Sequence, residues 1–217
     1  GNPIASLSLN LNLKAGKSKD VIFTLGVADT KEKAKDTYKN YLNEKKVYEK
    51  LDELKSYWSG YLGHYEAKTP DADVNSMVNI WNQYQCRTTF NWSRFASYYE
   101  AGIGRGMGFR DSNQDTLGVL HAIPEKVKTR VKELAQNQFK NGSSYHKFFP
   151  LTKTGEKGGY SDDPLWLIMS TAAYVKETGD IDFLNEKLKF VDGEPASMYE
   201  HLKKAIERDP YLDEAYY

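Results

Sequence analysis

A complete helix is indicated by the stretch Asp162-Asp163-Pro-Leu-Trp-Leu-Ile-Met-Ser-Thr-Ala-Ala-Tyr-Val-Lys-Glu-Thr-Gly179. Pro164 suits the first turn, where a missing backbone N–H costs no helical hydrogen bond. Apolar residues follow at helical spacing, and Gly179 is typical of a helix C-terminus. Asp162 or Asp163 is expected to cap the first turn with its side chain. The stretch therefore predicts a helix that opens at Pro164 and ends at Gly179.

Similar helical patterns extend outward from this stretch in both directions. Pro124 opens a pattern that we expect to end at Asn141-Gly142, and apolar residues recur at helical spacing from Met198 onward. An upstream pattern has its apolar stripe at Val74, Met77, Val78 and Trp81. Long polar loops join these segments, and such loops often carry function. The fold class predicted from these patterns is mainly α, a ring of helices with chemistry in the loops at one end.

The first 29 residues have a different pattern. Leucine alternates with polar residues in the segment 6–13, and the more apolar segment 21–27 follows a turn at Lys14–Lys17, so both segments are predicted to be strands. Two strands alone are marginally stable, so we expect them to pair with further strands and to end a β domain.

A helical linker is predicted between the strands and the ring of helices. Thr30 can cap the first of two helical patterns, and Thr69-Pro70-Asp71 interrupts the pattern after the second. We therefore place domain boundaries that give a β segment at 1–29, a linker at 30–69 and a helical domain at 70–217.

Composition excludes several classes of protein. The 30 basic and 30 acidic side chains cancel, which argues against a nucleic-acid partner. No segment has the roughly 18 consecutive apolar residues that a membrane span needs. The single cysteine permits no internal disulfide, and a cytoplasmic location is the default expectation. The four histidines are scattered without metal-ligand spacing, so no metal site is predicted.

The densest group of polar and glycine residues lies between Asn91 and Asp115. Alternating glycines allow a ligand to approach the backbone closely, and arginines can bind phosphate or vicinal hydroxyl groups in bidentate fashion. The arginines and acidic residues concerned are Arg94, Arg105, Arg110, Asp111 and Asp115. The glycine spacing is not that of a dinucleotide-binding loop. The alternative interpretation is a buried ion-pair network behind a glycine turn.

Two further segments are candidates for a ligand site. The loop from Tyr160 to Trp166 places two carboxylates beside an aromatic residue at a helix start, and N-capping would explain either Asp162 or Asp163 but not both. His146 stands among polar residues, and we interpret it as a structural histidine.

Several motifs, in order, resemble those of inverting disaccharide phosphorylases of the cellobiose and chitobiose phosphorylase type. The main motif is Gly102-Ile-Gly-Arg-Gly-Met-Gly-Phe-Arg-Asp-Ser-Asn-Gln-Asp115. The others are Asn79-Ile-Trp-Asn-Gln-Tyr-Gln-Cys86, Pro150-Leu-Thr-Lys153, Asp162-Asp-Pro-Leu-Trp166 and Ala173-Tyr-Val-Lys-Glu-Thr-Gly-Asp180.

The resemblance implies both a fold and a reaction. It implies the last hairpin of an N-terminal β-sandwich, a helical linker, and the first part of an (α/α)6 barrel. The implied reaction is attack of inorganic phosphate on a β-linked, cellobiose-like disaccharide with inversion, which gives an α-sugar 1-phosphate and a free sugar. Phosphate is itself a nucleophile, so one general acid suffices, whereas an inverting hydrolase needs two carboxylates. The resemblance implies no cofactor, and inorganic phosphate is a co-substrate.

The resemblance also implies roles for individual residues. Arg94 matches a phosphate-binding position, and Arg105 and Asp111 match positions that bind the non-reducing sugar. Supporting roles behind these residues are expected for Arg110, Asp115 and Asp163. The general acid is expected in a segment downstream of this chain, so no catalytic residue is assigned here, and the isolated chain is expected to be inactive.

Two other functions remain open at this point. One is a non-catalytic carbohydrate-binding protein. The other is an inverting hydrolase on a helical barrel, with Glu100, Asp111 or Asp163 as acid and base. The expected partners are a disaccharide and phosphate, together with a complementing chain or a second copy of this chain.

Overall fold

A computed structural model describes residues 4–92, 106–150 and 152–208 of the 217-residue chain. The chain divides into two compact units, residues 1–60 and residues 61–217. The described part is about half helical and contains two small antiparallel sheets. The predicted helical barrel and the predicted domain boundaries stay predictions.

The first unit contains two helices, α1 (Lys31–Lys39) and most of α2 (Glu44–Leu62). Thr30 caps α1 as predicted, because its Oγ1 accepts a hydrogen bond from the backbone N–H of Lys33 at 3.2 Å. The apolar side chains of these helices are largely exposed, for example Leu51 at 42% and Leu54 at 52%. Their packing surfaces are therefore uncovered within the described residues.

The two strands predicted before residue 29 are not formed. The turn between them is present, since Lys17 N–H donates to the Lys14 carbonyl, but residues 4–29 contain no strand. The alternating leucines, from Leu7 to Leu13, are 49–74% exposed. Strands need hydrogen-bonded neighbours and a covered apolar face, and the described residues supply neither.

The second unit contains the other helices and all the described strands. Helix α3 (Ala72–Ser76) continues through a π-helical segment (Met77–Asn82) into α4 (Gln83–Trp92). The remaining helices are α5 (Phe109–Leu117), α6 (Pro124–Ala135), α7 (Asp163–Thr178) and α8 (Met198–Glu207), with a 3-10 helix at Ile181–Asn185. The strands are β1 (Met107–Gly108), β2 (Lys147–Phe149), β3 (Thr154–Glu156), β4 (Lys187–Lys189) and β5 (Pro195–Ser197).

The core of this unit lies where α5, α6 and α7 pack together. Side chains with no exposed surface come from each helix: Phe109, Val127, Val131, Leu134 and Leu167. The two sheets flank this core, with β1, β2 and β3 in antiparallel order and β4 paired with β5.

The structure confirms the predicted start and end of α7 but not its predicted side-chain cap. Pro164 lies in the first turn, and Gly179 ends the helix in the left-handed conformation with φ +71°. Asp162 occupies the capping position, but its side chain makes no capping hydrogen bond. That side chain instead accepts from Trp166 Nε1 and pairs with Arg110. Expecting a carboxylate cap was therefore wrong, because Asp162 Oδ2 contacts these two side chains instead of the backbone N–H groups.

Other helix predictions also needed correction. Helix α6 ends at Ala135 rather than Asn141-Gly142, because a turn closed by Phe139 and Ser143 follows it. The apolar stripe from Val74 to Trp81 does not face the core, since Val74, Met77 and Trp81 are 44–55% exposed. The buried residues of α4 are Gln83, Arg87 and Phe90.

Two glycines offer a test of how the turn after α6 packs against α8. Gly142 and Gly179 both have left-handed φ, at +86° and +71°. An added Cβ at Gly142 would overlap the Lys204 carbonyl oxygen of α8, whereas an added Cβ at Gly179 would meet nothing within 4 Å. We expect Gly179→Ala to lower the free energy of unfolding by about 1–2 kcal/mol through backbone strain. Gly142→Ala should cost clearly more.

The measurement is urea denaturation of both variants and the parent, followed by circular dichroism. Gly179→Ala is the matched control, because it shares the strain and lacks the steric overlap. Equal losses of stability in the two variants would contradict the close approach of the turn to α8.

Candidate functional site

The main motif runs into a short strand and then directly into α5. Strand β1 pairs with β2 through Met107 and Gly108, and Phe109 N–H donates to the His146 carbonyl at 2.8 Å. Gly106 has φ +79°, and an added Cβ there would lie 2.8 Å from the Phe149 ring. Glycine is therefore required at 106 for both conformation and space. These contacts fix the start of α5 beside the residue that precedes β2.

Arg110 and Asp111 lie in the first turn of α5. We expected the chemistry to lie in loops between helices, but part of the stretch 91–115 is helical, because residues 91–92 end α4 and residues 109–117 form α5. Asp111 is half-buried and folds back towards Gly108, where an added Cβ would lie 2.8 Å from Asp111 Oδ2. A carboxylate in the first helical turn is also favoured by the helix dipole.

The next turn of α5 is anchored to α7. Asn113 Nδ2 donates to the Phe109 carbonyl at 2.9 Å, and Ser170 Oγ donates to Asn113 Oδ1 at 2.6 Å. Both side chains are buried, and Asp115 is only 9% exposed. The helix that presents Arg110 and Asp111 is therefore held rigidly from behind.

Arg110 lies close to the two carboxylates at the start of α7, those of Asp162 and Asp163. Its Nη1 lies 3.1 Å from Asp162 Oδ2, and its Nε lies 3.9 Å from Asp163 Oδ1. The guanidinium also lies over the Tyr160 ring, 5.8 Å from the centroid. Arg110 remains 36% exposed, so part of its donor surface faces solvent.

His146 completes this cluster. Its Nδ1 lies 2.9 Å from Asp163 Oδ2, and its ring lies against Tyr160 with centroids 4.1 Å apart. Asp163 is 2% exposed. Burial raises the pKa of the Asp163 carboxyl, while the hydrogen bond with His146 and the charge of Arg110 oppose that rise. The arrangement is an imidazole–carboxylate dyad with a guanidinium beside it.

The structure brings together some of the predicted site residues. Arg110 and Asp163 are in contact, Asp111 follows Arg110 on the same helical turn, and Asp115 lies one turn further along α5. Arg94, Glu100 and Arg105 lie outside the described residues.

His146 was interpreted as structural, and its contact with the buried Asp163 is compatible with that interpretation. The pairing joins residues 17 positions apart, and no local sequence signal marks it. Its position between polar residues was the one available indication.

Two classes of site are not found within the described residues. No group of three or more potential metal-ligating side chains occurs there. None of the described helices is both long and apolar enough to cross a membrane.

Comparison with known proteins identifies the family. A model of the glycosyl hydrolase 94 superfamily catalytic domain matches residues 57–210, and a model of the glycosyl hydrolase 94 supersandwich domain matches residues 1–44. An N,N'-diacetylchitobiose phosphorylase of Vibrio proteolyticus is 31% identical over 95% of this chain and 29% of its own length. The cyclic beta-(1,2)-glucan synthase NdvB of Rhizobium meliloti is 30% identical over 95% of this chain and 8% of its own length. A solabiose phosphorylase of Paenibacillus borealis is 28% identical over 94% of this chain and 25% of its own length.

This chain therefore spans less than a third of the length of these relatives. The catalytic-domain model nevertheless covers well over half of the chain and includes the whole cluster around α5 and α7. The chain belongs to the glycosyl hydrolase 94 superfamily.

Proposed function

We propose that the full-length protein cleaves a β-linked disaccharide with inorganic phosphate. Phosphate attacks the anomeric carbon from the face opposite the leaving oxygen, the glycosidic C–O bond breaks, and a general acid protonates the leaving sugar. The products are an α-sugar 1-phosphate and a free sugar. Arg94 binds the phosphate, Arg105 and Asp111 bind the non-reducing sugar, and none of the residues of this chain is assigned as the acid.

The observation that carries the proposal is the rigid presentation of Arg110 and Asp111 within the segment matched by the catalytic-domain model. Their helix is fixed by the Phe109–His146 backbone bond in front and the Asn113–Ser170 bond behind. A binding site gains affinity and rate when its polar groups need no reorganisation. A carboxylate held in this way suits two sugar hydroxyl groups.

The names of the relatives support phosphorolysis more than its competitors. Two of the three relatives reported above are named phosphorylases, and the third is named a synthase. A motif rich in arginine suits a reaction in which an anion is held against a sugar, whereas water as nucleophile needs no such group.

Hydrolysis is also disfavoured by the surroundings of Asp163. This residue was a candidate acid or base, but it is 2% exposed and its Oδ2 is engaged by His146. A general base must lie within hydrogen-bond reach of the water that it activates. Asp163 is therefore better suited to hold neighbouring side chains than to contact substrate.

The identity of the disaccharide is a separate matter. The relatives act, by their names, on different sugars, although each aligns with almost all of this chain. We infer that this segment contributes to the chemistry that these reactions have in common. Selectivity for one sugar then depends on residues elsewhere in the full-length protein. A cytoplasmic location and association with a second chain stay predictions.

The reaction class can be tested directly on the full-length protein. Incubation with cellobiose or N,N'-diacetylchitobiose should release an α-sugar 1-phosphate only when phosphate is present, as followed by phosphorus and proton NMR. The control is the same incubation without phosphate. Release of free sugars at the same rate without phosphate would contradict the proposal and support hydrolysis.

The assigned binding roles predict different kinetic defects in two variants of the full-length protein. Arg94→Ala should raise the phosphate KM by about 10- to 150-fold, the loss expected for a charge-assisted contact worth about 1.5–3 kcal/mol. Asp111→Asn should lower kcat/KM for the disaccharide and leave the phosphate KM nearly unchanged, because an amide accepts hydrogen bonds through one oxygen only.

Arg94→Lys is the matched control for the phosphate contact. It keeps the charge but loses the planar donor pair, so its phosphate KM should lie between those of the parent and Arg94→Ala. Equal defects towards both substrates in Arg94→Ala and Asp111→Asn would show that these residues only maintain the fold.

A further inference from the structure

His146 is held in place more firmly than a surface histidine requires. Its backbone N–H donates to the Glu156 carbonyl and its carbonyl accepts from Phe109, so the residue is fixed between β3 and α5. Its Nδ1 contacts Asp163 and its ring lies against Tyr160. Rotation of the imidazole is thereby restricted, although its side chain is 33% exposed.

The partner of Nδ1 determines what the other ring nitrogen can do. An ionised carboxylate only accepts hydrogen bonds, so Nδ1 carries the proton when Asp163 is ionised. The neutral ring then has a lone pair on Nε2. No residue in the described part of the chain forms a hydrogen bond with Nε2. Nε2 of His146 is therefore a hydrogen-bond acceptor on a side chain that is held in place and partly exposed.

His201 is an internal comparison for a purely structural histidine. It has no exposed surface, and it uses both nitrogens within the protein: Nδ1 lies 2.8 Å from Gln138 Oε1 and Nε2 lies 3.0 Å from the Leu188 carbonyl. His146 engages only Nδ1 in this way and keeps Nε2 at the surface.

We propose that His146 is a substrate-binding residue whose Nε2 accepts a hydrogen bond from a hydroxyl group of the non-reducing sugar, and that Asp163 is the residue that positions it. This inference rests on the proposed function, because it assigns the sugar to the site of Asp111. The Phe109–His146 backbone bond supplies the connection, since it places His146 beside the helical turn that carries Arg110 and Asp111.

The surroundings of the second carboxylate oxygen of Asp163 also support its role as a positioning residue. Asp163 Oδ1 is buried without a hydrogen bond, and Arg110 Nε lies 3.9 Å from it. A buried polar atom without a partner is costly, so its presence needs an explanation, and a role at a functional site is one such explanation. One carboxylate therefore faces both His146 and Arg110, two side chains that keep exposed donor or acceptor surface.

The test is a comparison of substrates in the full-length protein. His146→Asn places an amide near Nδ1, which keeps a partner for Asp163 and removes the acceptor at Nε2. The substrates are the disaccharide and a set of analogues, each lacking one hydroxyl group on one of the two rings. We expect His146→Asn to lower kcat/KM for the intact disaccharide by about 3- to 10-fold, the loss of one neutral hydrogen bond.

A direct contact is distinguished from a structural role by the effects of His146→Asn and of removing one hydroxyl group from the substrate, which should not be additive. In the parent protein, removal of the contacted hydroxyl should itself lower kcat/KM, and in His146→Asn that additional loss should disappear for this analogue alone. His121, which is exposed, provides the matched control His121→Asn, which should behave as the parent. Unchanged kcat/KM in His146→Asn, equal losses for all analogues, or coupling to the other ring would overturn the proposal.

A second variant tests the positioning role of Asp163. Burial disfavours the charged carboxylate, so Asp163→Asn should keep or raise the free energy of unfolding at pH 7. It should still lower kcat/KM by a factor similar to that of His146→Asn, because an amide can present either an oxygen or an NH2 group to Nδ1. Parental kcat/KM, or a loss of stability with equal losses for all analogues, would show that Asp163 only supports the fold.

Failure of this inference can be distinguished from failure of the proposed function. The products formed by the parent protein decide between phosphorolysis and hydrolysis. The coupling to one hydroxyl group is measured in the same way with hydrolysis rates, or with the dissociation constant of the sugar from calorimetry where no turnover occurs. A hydrolase or a binding protein could therefore show the His146 contact, and a phosphorylase could lack it.

Discussion

A single buried carboxylate, that of Asp163, joins the elements on which the candidate site depends. It lies in the first turn of α7, and it contacts His146 before β2 and faces Arg110 on α5. Burying a carboxylate costs several kcal/mol unless hydrogen bonds and opposite charge offset the loss of water. The strand and the two helices are thus favoured only in arrangements that bring an imidazole and a guanidinium to this carboxylate.

The backbone reinforces the same arrangement. Strand β1 is only two residues long, yet its pairing with β2 leads straight into the Phe109–His146 bond and therefore sets the point at which α5 begins. Gly106 makes this possible, because a larger residue would meet the Phe149 ring. The burial of the Asp163 carboxylate and the steric limits of the backbone therefore favour the same positions for Arg110 and Asp111. Several independent constraints that favour one arrangement are typical of a well-specified site.

The parts of the fold that sequence patterns predicted correctly are those with local causes. Pro164 and Gly179 mark α7 through their own backbone preferences, and Thr30 caps α1 through its own side chain. The wrong predictions have distant causes. The end of α6 depends on a turn that packs against α8, and strands near the N-terminus need partners that the pattern of residues 6–27 cannot supply. The same holds for the site: Asp163 could be singled out by its motif, but its pairing with His146 could not.

A second charged cluster in the same unit shows what a structural ion network looks like. Lys128 contacts Asp180 and Glu186 at 2.8 and 2.7 Å, and Lys132 contacts the other oxygen of Glu186 at 2.6 Å. Tyr174 also donates to Asp180, and these contacts raise the pKa of Lys128 and lower the pKa values of both carboxyls.

The two carboxylates and two lysines of that network balance in charge, and the network joins α6 to the segment after α7. The cluster at Asp163 differs because one carboxylate oxygen has no hydrogen bond and one imidazole nitrogen remains at the surface. An ion network that served stability alone would use these groups internally, since each unused buried partner lowers stability. The network at Lys128 is thus complete in itself, and the incomplete pairing around Asp163 is the difference that supports our proposal of a ligand at this cluster.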